Sequence, residues 1–153
     1  MLQAINNKFG TNISEETLEE IKNFTLLWNI FDNTIFNTHF SIHNLNLEID
    51  RINPPFNDYQ EIFRYFQLRY VDNGAINERF RNLNFKQNDR EPFVIRALLD
   101  NDLPNNDKIL AVGIIIFRFR NNLFHGIKDF HFLNGQIENF RFANRYLQIF
   151  LDL

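Results

Sequence analysis

The sequence predicts an all-α protein, a compact bundle of about five or six helices forming a single domain over residues 1–153. Three observations predict it. From Leu18 through Ile21, Phe24, Trp28 and Phe31 to Ile35, apolar residues recur every three or four positions, the spacing of one helical face. Tyr59, Ile62, Phe63, Phe66 and Tyr70 repeat that pattern as an aromatic stripe, which reads as core before it reads as a base-stacking platform. The third is Ile109 to Lys128, I-L-A-V-G-I-I-I-F-R-F-R-N-N-L-F-H-G-I-K, whose first half is apolar nearly all round. A helix without a polar stripe must be covered on every side, so this segment would be the central one. Its β-branched residues also suit a buried strand, because periodicity alone does not separate the two. The run Leu110 to Phe117 is far too short to cross a bilayer.

Each element carries its own signals. Ser14-Glu15-Glu16 reads as an N-cap followed by acids that suit a helix's positive end, which opens a long helix over about residues 15 to 38. His39 and His43 stand at i, i+4, a spacing that invites a metal reading if they share a helix. With no third histidine or acid at a matching offset, a solvent or capping role is the favoured one. Ser41 to Asn53 is left without a helical assignment. Pro54-Pro55 breaks the chain, and Asn57 or Asp58 is placed to cap the aromatic helix, whose Arg64 and Arg69 leave the apolar stripe. Asn73-Gly74 signals a turn, Ile76 to Leu83 a short helix, and Asn84 to Arg90 a polar loop. Pro92 suits the first turn of a helix through Leu99, and Asp100 to Asp107 forms a connection. After the central stretch, Asp129 to Leu133 reads as an irregular segment, and Asn134 as the cap of a last helix burying Ile137, Phe140, Leu147, Phe150 and Leu151.

Composition narrows the chemistry. The chain has no cysteine, which removes disulfides, thiolate metal sites and a cysteine nucleophile and fits a reducing cytoplasm. No basic-then-apolar leader opens it, so neither export nor a membrane partner is expected. The abundance of Phe, Asn and Ile matches A/T-rich codons and carries little functional weight. A formal charge of −3 argues against a general nucleic-acid sponge, yet the charge is unevenly placed. Residues 1–57 carry seven acids and three bases, whereas residues 108–128 carry Lys108, Arg118, Arg120 and Lys128 with no acid.

The basic stretch also holds the chemistry. Gly126 sits where a helix's C′ residue is expected, which puts His125 at the negative end of the helix, where the protonated imidazole is favoured. A histidine near neutrality both takes and gives protons. An arginine stays cationic and only donates, the property of a clamp on a phosphate or a transition-state anion. Arginine and histidine without a serine or cysteine nucleophile point to acid/base chemistry beside a phosphodiester, where RNA supplies its own nucleophile in the 2′-hydroxyl. The spacing alone is not diagnostic: with eleven arginines and four histidines, an arginine followed by histidine after four to six residues arises about once by chance. Arg118 meets it as well as Arg120. On a straight helix Arg118 and His125 share a face, while Arg120 lies about 140° away. The bland alternative makes Arg118 and Arg120 surface or capping residues and His125 a helix-end cap.

The string Arg120-Asn121-Asn122-Leu123-Phe124-His125-Gly126, with Lys128 just beyond, resembles the motif of the HEPN family of small all-helical domains. In the extended form R-N-N-L-F-H-G it looks like a group of stand-alone bacterial HEPN proteins. The motif covers about eight residues; elsewhere the likeness is only one of helical order and length. The resemblance implies a HEPN-like helical bundle and a metal-independent endoribonuclease without cofactor. Its composite cleft would form across a homodimer, leaving 2′,3′-cyclic phosphate and 5′-hydroxyl ends. Arg120 and His125 would be the catalytic pair, Asn121 the polar residue supporting them, and Asn122, Arg118 and Lys128 further substrate contacts. The implied roles are a cytoplasmic toxin, with an antitoxin or defence-system partner, or an anti-phage effector. A catalytically inactive module that binds RNA, a nucleotide or a protein is the alternative. Where HEPN toxins paired with a minimal nucleotidyltransferase carry a tyrosine two residues after the histidine, this chain has Ile127, so neutralisation by modifying that residue is not implied.

Overall fold

Helix ends in this chain are set by serine and asparagine, for two different reasons. Ser14 and Ser41 begin helices in extended backbone, and each side-chain oxygen accepts a hydrogen bond from the backbone N–H three residues on, Thr17 and Asn44, at 3.0 Å. Asn37 and Asn53 end those same helices in the left-handed conformation, at φ 50° and 42°, which asparagine tolerates better than most residues. The computed structural model describes residues 1–125 and 130–153, and in it the chain folds as α1 (Leu2–Phe9), α2 (Glu15–Phe36), α3 (Ile42–Ile52), α4 (Gln60–Tyr70), α5 (Glu78–Arg81), α6 (Glu91–Leu99), α7 (Asn105–Phe124) and α8 (Ile137–Phe150). Single 3₁₀ stretches cover Phe56–Asp58 and Phe130–Gln136. Between α4 and α5, β1 (Val71–Asp72) pairs antiparallel with β2 (Ala75–Ile76), in the register Val71 to Ile76 and Asp72 to Ala75. Asn73 and Gly74 both have positive φ, as a tight two-residue hairpin turn requires.

The all-α expectation holds at the level of class, but the described residues contain eight helices and not five or six. The additions are α1 and α3, while the expected short helix at Ile76 to Leu83 is the single turn α5. In α3 the buried residues are Ile42, Leu45 and Ile49, a helical spacing diluted by four polar or charged residues placed between them. Two expected caps are also corrected. The aromatic helix starts at Gln60 after the 3₁₀ turn, with no side-chain cap from Asn57 or Asp58. Asn134 does not cap the last helix; its Oδ1 accepts from the backbone N–H of Ser14 at 3.0 Å and from Thr17 Oγ1 at 2.8 Å. It therefore ties the segment before α8 to the start of α2.

α7 is the buried axis of the bundle, and the strand alternative is excluded. Ile109 through Ile116 are all buried, because α3, α4 and α6 pack against α7 and Tyr146 of α8 reaches its Ile109 carbonyl at 3.2 Å. Each large apolar side chain removed from water there contributes roughly 1.5–3 kcal/mol. α2 packs along α8, with Phe24 against Phe140 and Phe31 against Phe150 at centroid distances of 5.4 and 5.2 Å. Arg118 lies one residue past the apolar run and is itself 2% exposed. Beyond its apolar run the helix thus carries Arg118 inside the core and reaches the surface at its C-cap, His125. Among the described residues no helix is long and apolar enough to cross a membrane.

Candidate functional site at the end of the central helix

The polar residues of α7 divide into an inner and an outer set, and Arg118 and Asn122 make the inner one. Arg118 Nη1 donates to Asp89 Oδ2 at 2.9 Å, Nε to the Leu83 carbonyl at 3.1 Å and Nη2 to Asn122 Oδ1 at 3.2 Å. Asn122 Nδ2 donates to the same Leu83 carbonyl at 3.0 Å. Arg118 and Asn122 are each 2% exposed. Asp89 also accepts from the backbone N–H of Lys86 at 2.8 Å, so one carboxylate fixes both the loop before α6 and the arginine of α7. A buried guanidinium is tolerated only when its charge is paired and its N–H groups are satisfied, and this network does both. The resemblance implies these two residues as substrate contacts; in the folded chain their polar atoms bond to Asp89, to the Leu83 carbonyl and to each other.

Arg120, Asn121 and His125 make the outer set. Arg120 is half-buried, donates from Nη1 to Asn121 Oδ1 at 3.0 Å, and holds its guanidinium over the Phe124 ring at 5.4 Å from the centroid. Arg120 Nε is buried without a hydrogen-bond acceptor. His125 is exposed and closes the helix, its backbone N–H donating to the Asn121 carbonyl at 2.9 Å. Phe124, between them, is 50% exposed, unusual for a phenylalanine in the last turn of a central helix. Helical angle separates the arginines: Asn122 stands four residues from Arg118, on nearly the same line, while Arg120 lies two residues from each and faces away from both; His125, on the Arg118 side, is exposed because the helix ends there. Arg120 and His125 remain about 140° apart by the same arithmetic, so within one chain they do not converge on a single atom. Gly126 and Lys128, expected as the helix terminator and a substrate contact, lie outside the described residues.

Other sites named from the sequence are dispersed. His39 lies in the turn after α2, its Nδ1 2.7 Å from the Asn37 carbonyl, while His43 belongs to α3; the two do not share a helix. Among the described residues no three of His, Cys, Asp and Glu cluster as a metal-binding group. Asp89 and the Leu83 carbonyl, which decide the fate of Arg118, escaped the sequence reading because they lie in a polar loop and its approach, and backbone acceptors leave no mark in composition.

Fold and site define an all-α protein whose buried central helix ends in a surface pair of arginine and asparagine with a histidine one turn on. No protein-family profile, curated protein or solved structure matches this chain.

Proposed function

We propose that this chain is a cytoplasmic, metal-independent endoribonuclease of the HEPN type that works as a homodimer, with Arg120 and His125 as its catalytic pair. The observation that carries the reading is the opposite fate of the two arginines: Arg118 is consumed by Asp89, Leu83 and Asn122, while Arg120 stays at the outer end of α7 with its Nε unpaired, on a helix that ends in an exposed histidine. That contrast favours Arg120 of the two arginines that fit the spacing. The half-exposed Phe124 supports a second copy at this helix end, since a two-fold contact there would cover it and bring two copies of the motif around one phosphate. That arrangement removes the 140° difficulty, because Arg120 of one protomer and His125 of its partner share the cleft. His125 then removes the 2′-hydroxyl proton or protonates the leaving 5′-oxygen, and Arg120 stabilises the pentavalent phosphorane. The RNA is single-stranded or looped, where the backbone can align in-line. A toxin or anti-phage effector is the biological role that such an activity suits.

The test is cleavage of a structured RNA in EDTA, with end-group analysis and thermal melting of each variant. Arg120→Ala and His125→Ala are expected to lose roughly 10²–10⁴-fold in rate while melting like the parent. Arg118→Ala is expected to lose activity together with melting temperature. Activity insensitive to His125→Ala, or a protein that stays monomeric at assay concentration, overturns the reading.

A further inference from the structure

A second site lies on the other side of α7 from Arg120. Between the C-terminal end of α4, α5 with the residues after it, the 3₁₀ stretch Phe130–Gln136 and the start of α8 lies a cavity of about 660 Å³ that is open to solvent. That falls within the roughly 300–1,000 Å³ typical of small-molecule sites. Two guanidinium groups line it, from Arg69 and Arg79, and among the described residues its lining contains no carboxylate. Among the described residues the nearest acids in sequence are committed elsewhere: Glu78 pairs with Arg81 at 3.2 Å, Asp72 accepts from Asn77 at 3.1 Å, and Glu138 pairs with Arg141. Neither Arg69 nor Arg79 has an ion-pair partner among the described residues, and Arg69 Nε is buried without an acceptor. Paired cations in a concave site without counter-charge favour a dianion over any neutral ligand.

The rest of the wall says what the anion is attached to. Phe132 is 68% exposed at this cavity, a large planar face left in contact with solvent. Asn82 and Asn84 add amide groups, and Asn84 uses only its Nδ2, donating to the Asn82 carbonyl at 3.1 Å. Asn122 and Asn139 also line the cavity, but their side chains are spent on Arg118, Leu83, Tyr65 and Gln136, so they are a fixed wall and not recognition groups. Two cations, the exposed Phe132 face and amide edges match a phosphate joined to a planar, hydrogen-bonding ring. An acidic peptide would use the charge but not that exposed ring. We infer that this cavity is a nucleotide-binding pocket, with the phosphate on Arg69 and Arg79, the base stacked on Phe132 and its edge read by Asn82 and Asn84.

The inference rests on the cavity's own lining and does not need Arg120 or His125 to be catalytic. A nucleotide there is either free or one unit of a nucleic acid chain, and calorimetric titration separates the two. Adenosine monophosphate, adenosine, inorganic phosphate and a short 2′-O-methylated oligoadenylate, which cannot be cut through its 2′-oxygen, are titrated into the intact protein. The monophosphate should bind at least roughly tenfold tighter than adenosine or phosphate alone. An oligonucleotide binding no tighter than the monophosphate marks a free-nucleotide site; one binding much tighter marks a unit of a chain. Arg79→Ala and Phe132→Ala change exposed residues that the fold can spare, and each should weaken binding roughly tenfold or more. Arg69→Gln should weaken it similarly. Arg120→Ala should leave binding of the monophosphate unchanged even if it abolishes cleavage, so the two sites fail separately. Absence of binding by both monophosphate and oligonucleotide at millimolar concentration overturns the inference, as do equal affinity for adenosine or an Arg79→Ala variant that binds like the parent.

Discussion

Asp89 is the residue on which the end of α7 turns. Its carboxylate is the only charge facing the Arg118 guanidinium among the ion pairs of the described residues, and Arg118 is 2% exposed. Removing the acid strands a buried cation, which costs roughly 3–5 kcal/mol, whereas removing both members for apolar ones costs far less. Asp89→Ala is therefore expected to lower unfolding free energy by about that amount, and Asp89→Ala with Arg118→Met to recover a large part of it. Urea denaturation of both single variants and the double variant measures the coupling, and an additive outcome would show that the pair does not bear on stability. The same asymmetry explains why the sequence left Arg118 and Arg120 equivalent. Both fit the spacing, and the choice between them depends on a carboxylate 29 positions from Arg118 and on a backbone carbonyl, neither of which periodicity reports.

At the scale of elements, Gly113 sets how closely three helices meet. A Cβ placed there would lie 2.6 Å from Leu45 Cδ2 on α3 and 2.7 Å from Tyr146 Oη on α8, and both side chains are 1% exposed. Helix propensity alone makes alanine better than glycine by about 1 kcal/mol. Overpacking a filled core costs roughly 1–3 kcal/mol, and displacing the Tyr146 hydroxyl endangers its 3.2 Å bond to the Ile109 carbonyl. The steric term wins, so Gly113→Ala should shift the urea midpoint down by an amount equivalent to about 1–2 kcal/mol with an unchanged slope. A midpoint that rises would mean that α3 and α8 yield more easily than their burial implies. The long elements were legible for the reason that makes Gly113 critical: apolar residues at every position of Ile109–Ile116, or at every third or fourth position in α2 and α4, demand cover. α1 and α3 were not, because their asparagines and charged residues thin the pattern and they gain their stability from packing and caps. Asn134 was misread for a related reason, since a capping side chain looks the same in sequence whether it serves its own helix or one 120 residues away.

For the whole molecule, the tyrosines report how far the fold depends on excluding water. The chain has four, Tyr59, Tyr65, Tyr70 and Tyr146, and burial raises the phenol pKa of every one above its ordinary value near ~10. At Tyr59 the neighbouring Asp58 adds to the rise, while at Tyr65 and Tyr70 the charge of Arg69 opposes it without reversing it. Because the folded phenols hold their protons more tightly than the unfolded ones, stability from these groups is fully present below the unfolded pKa and is lost as pH rises through the folded values. The rings occupy the seams that join elements: Tyr59 packs on Tyr146 between the start of α4 and α8, Tyr65 stacks on Phe142 at 4.0 Å, and Tyr70 meets Phe80 of α5. Ionising any of them would place an anion inside a seam, so the cheaper course at alkaline pH is for the seams to open together. An alkaline titration followed by tyrosinate absorbance and far-ultraviolet circular dichroism should give no separate tyrosinate step near pH ~10, and above it a single transition in which absorbance gain and helix loss coincide. Tyrosinate appearing while the helical signal holds would show that these seams admit water in the native state, and that the bundle is held by α7 and the α2–α8 pair alone.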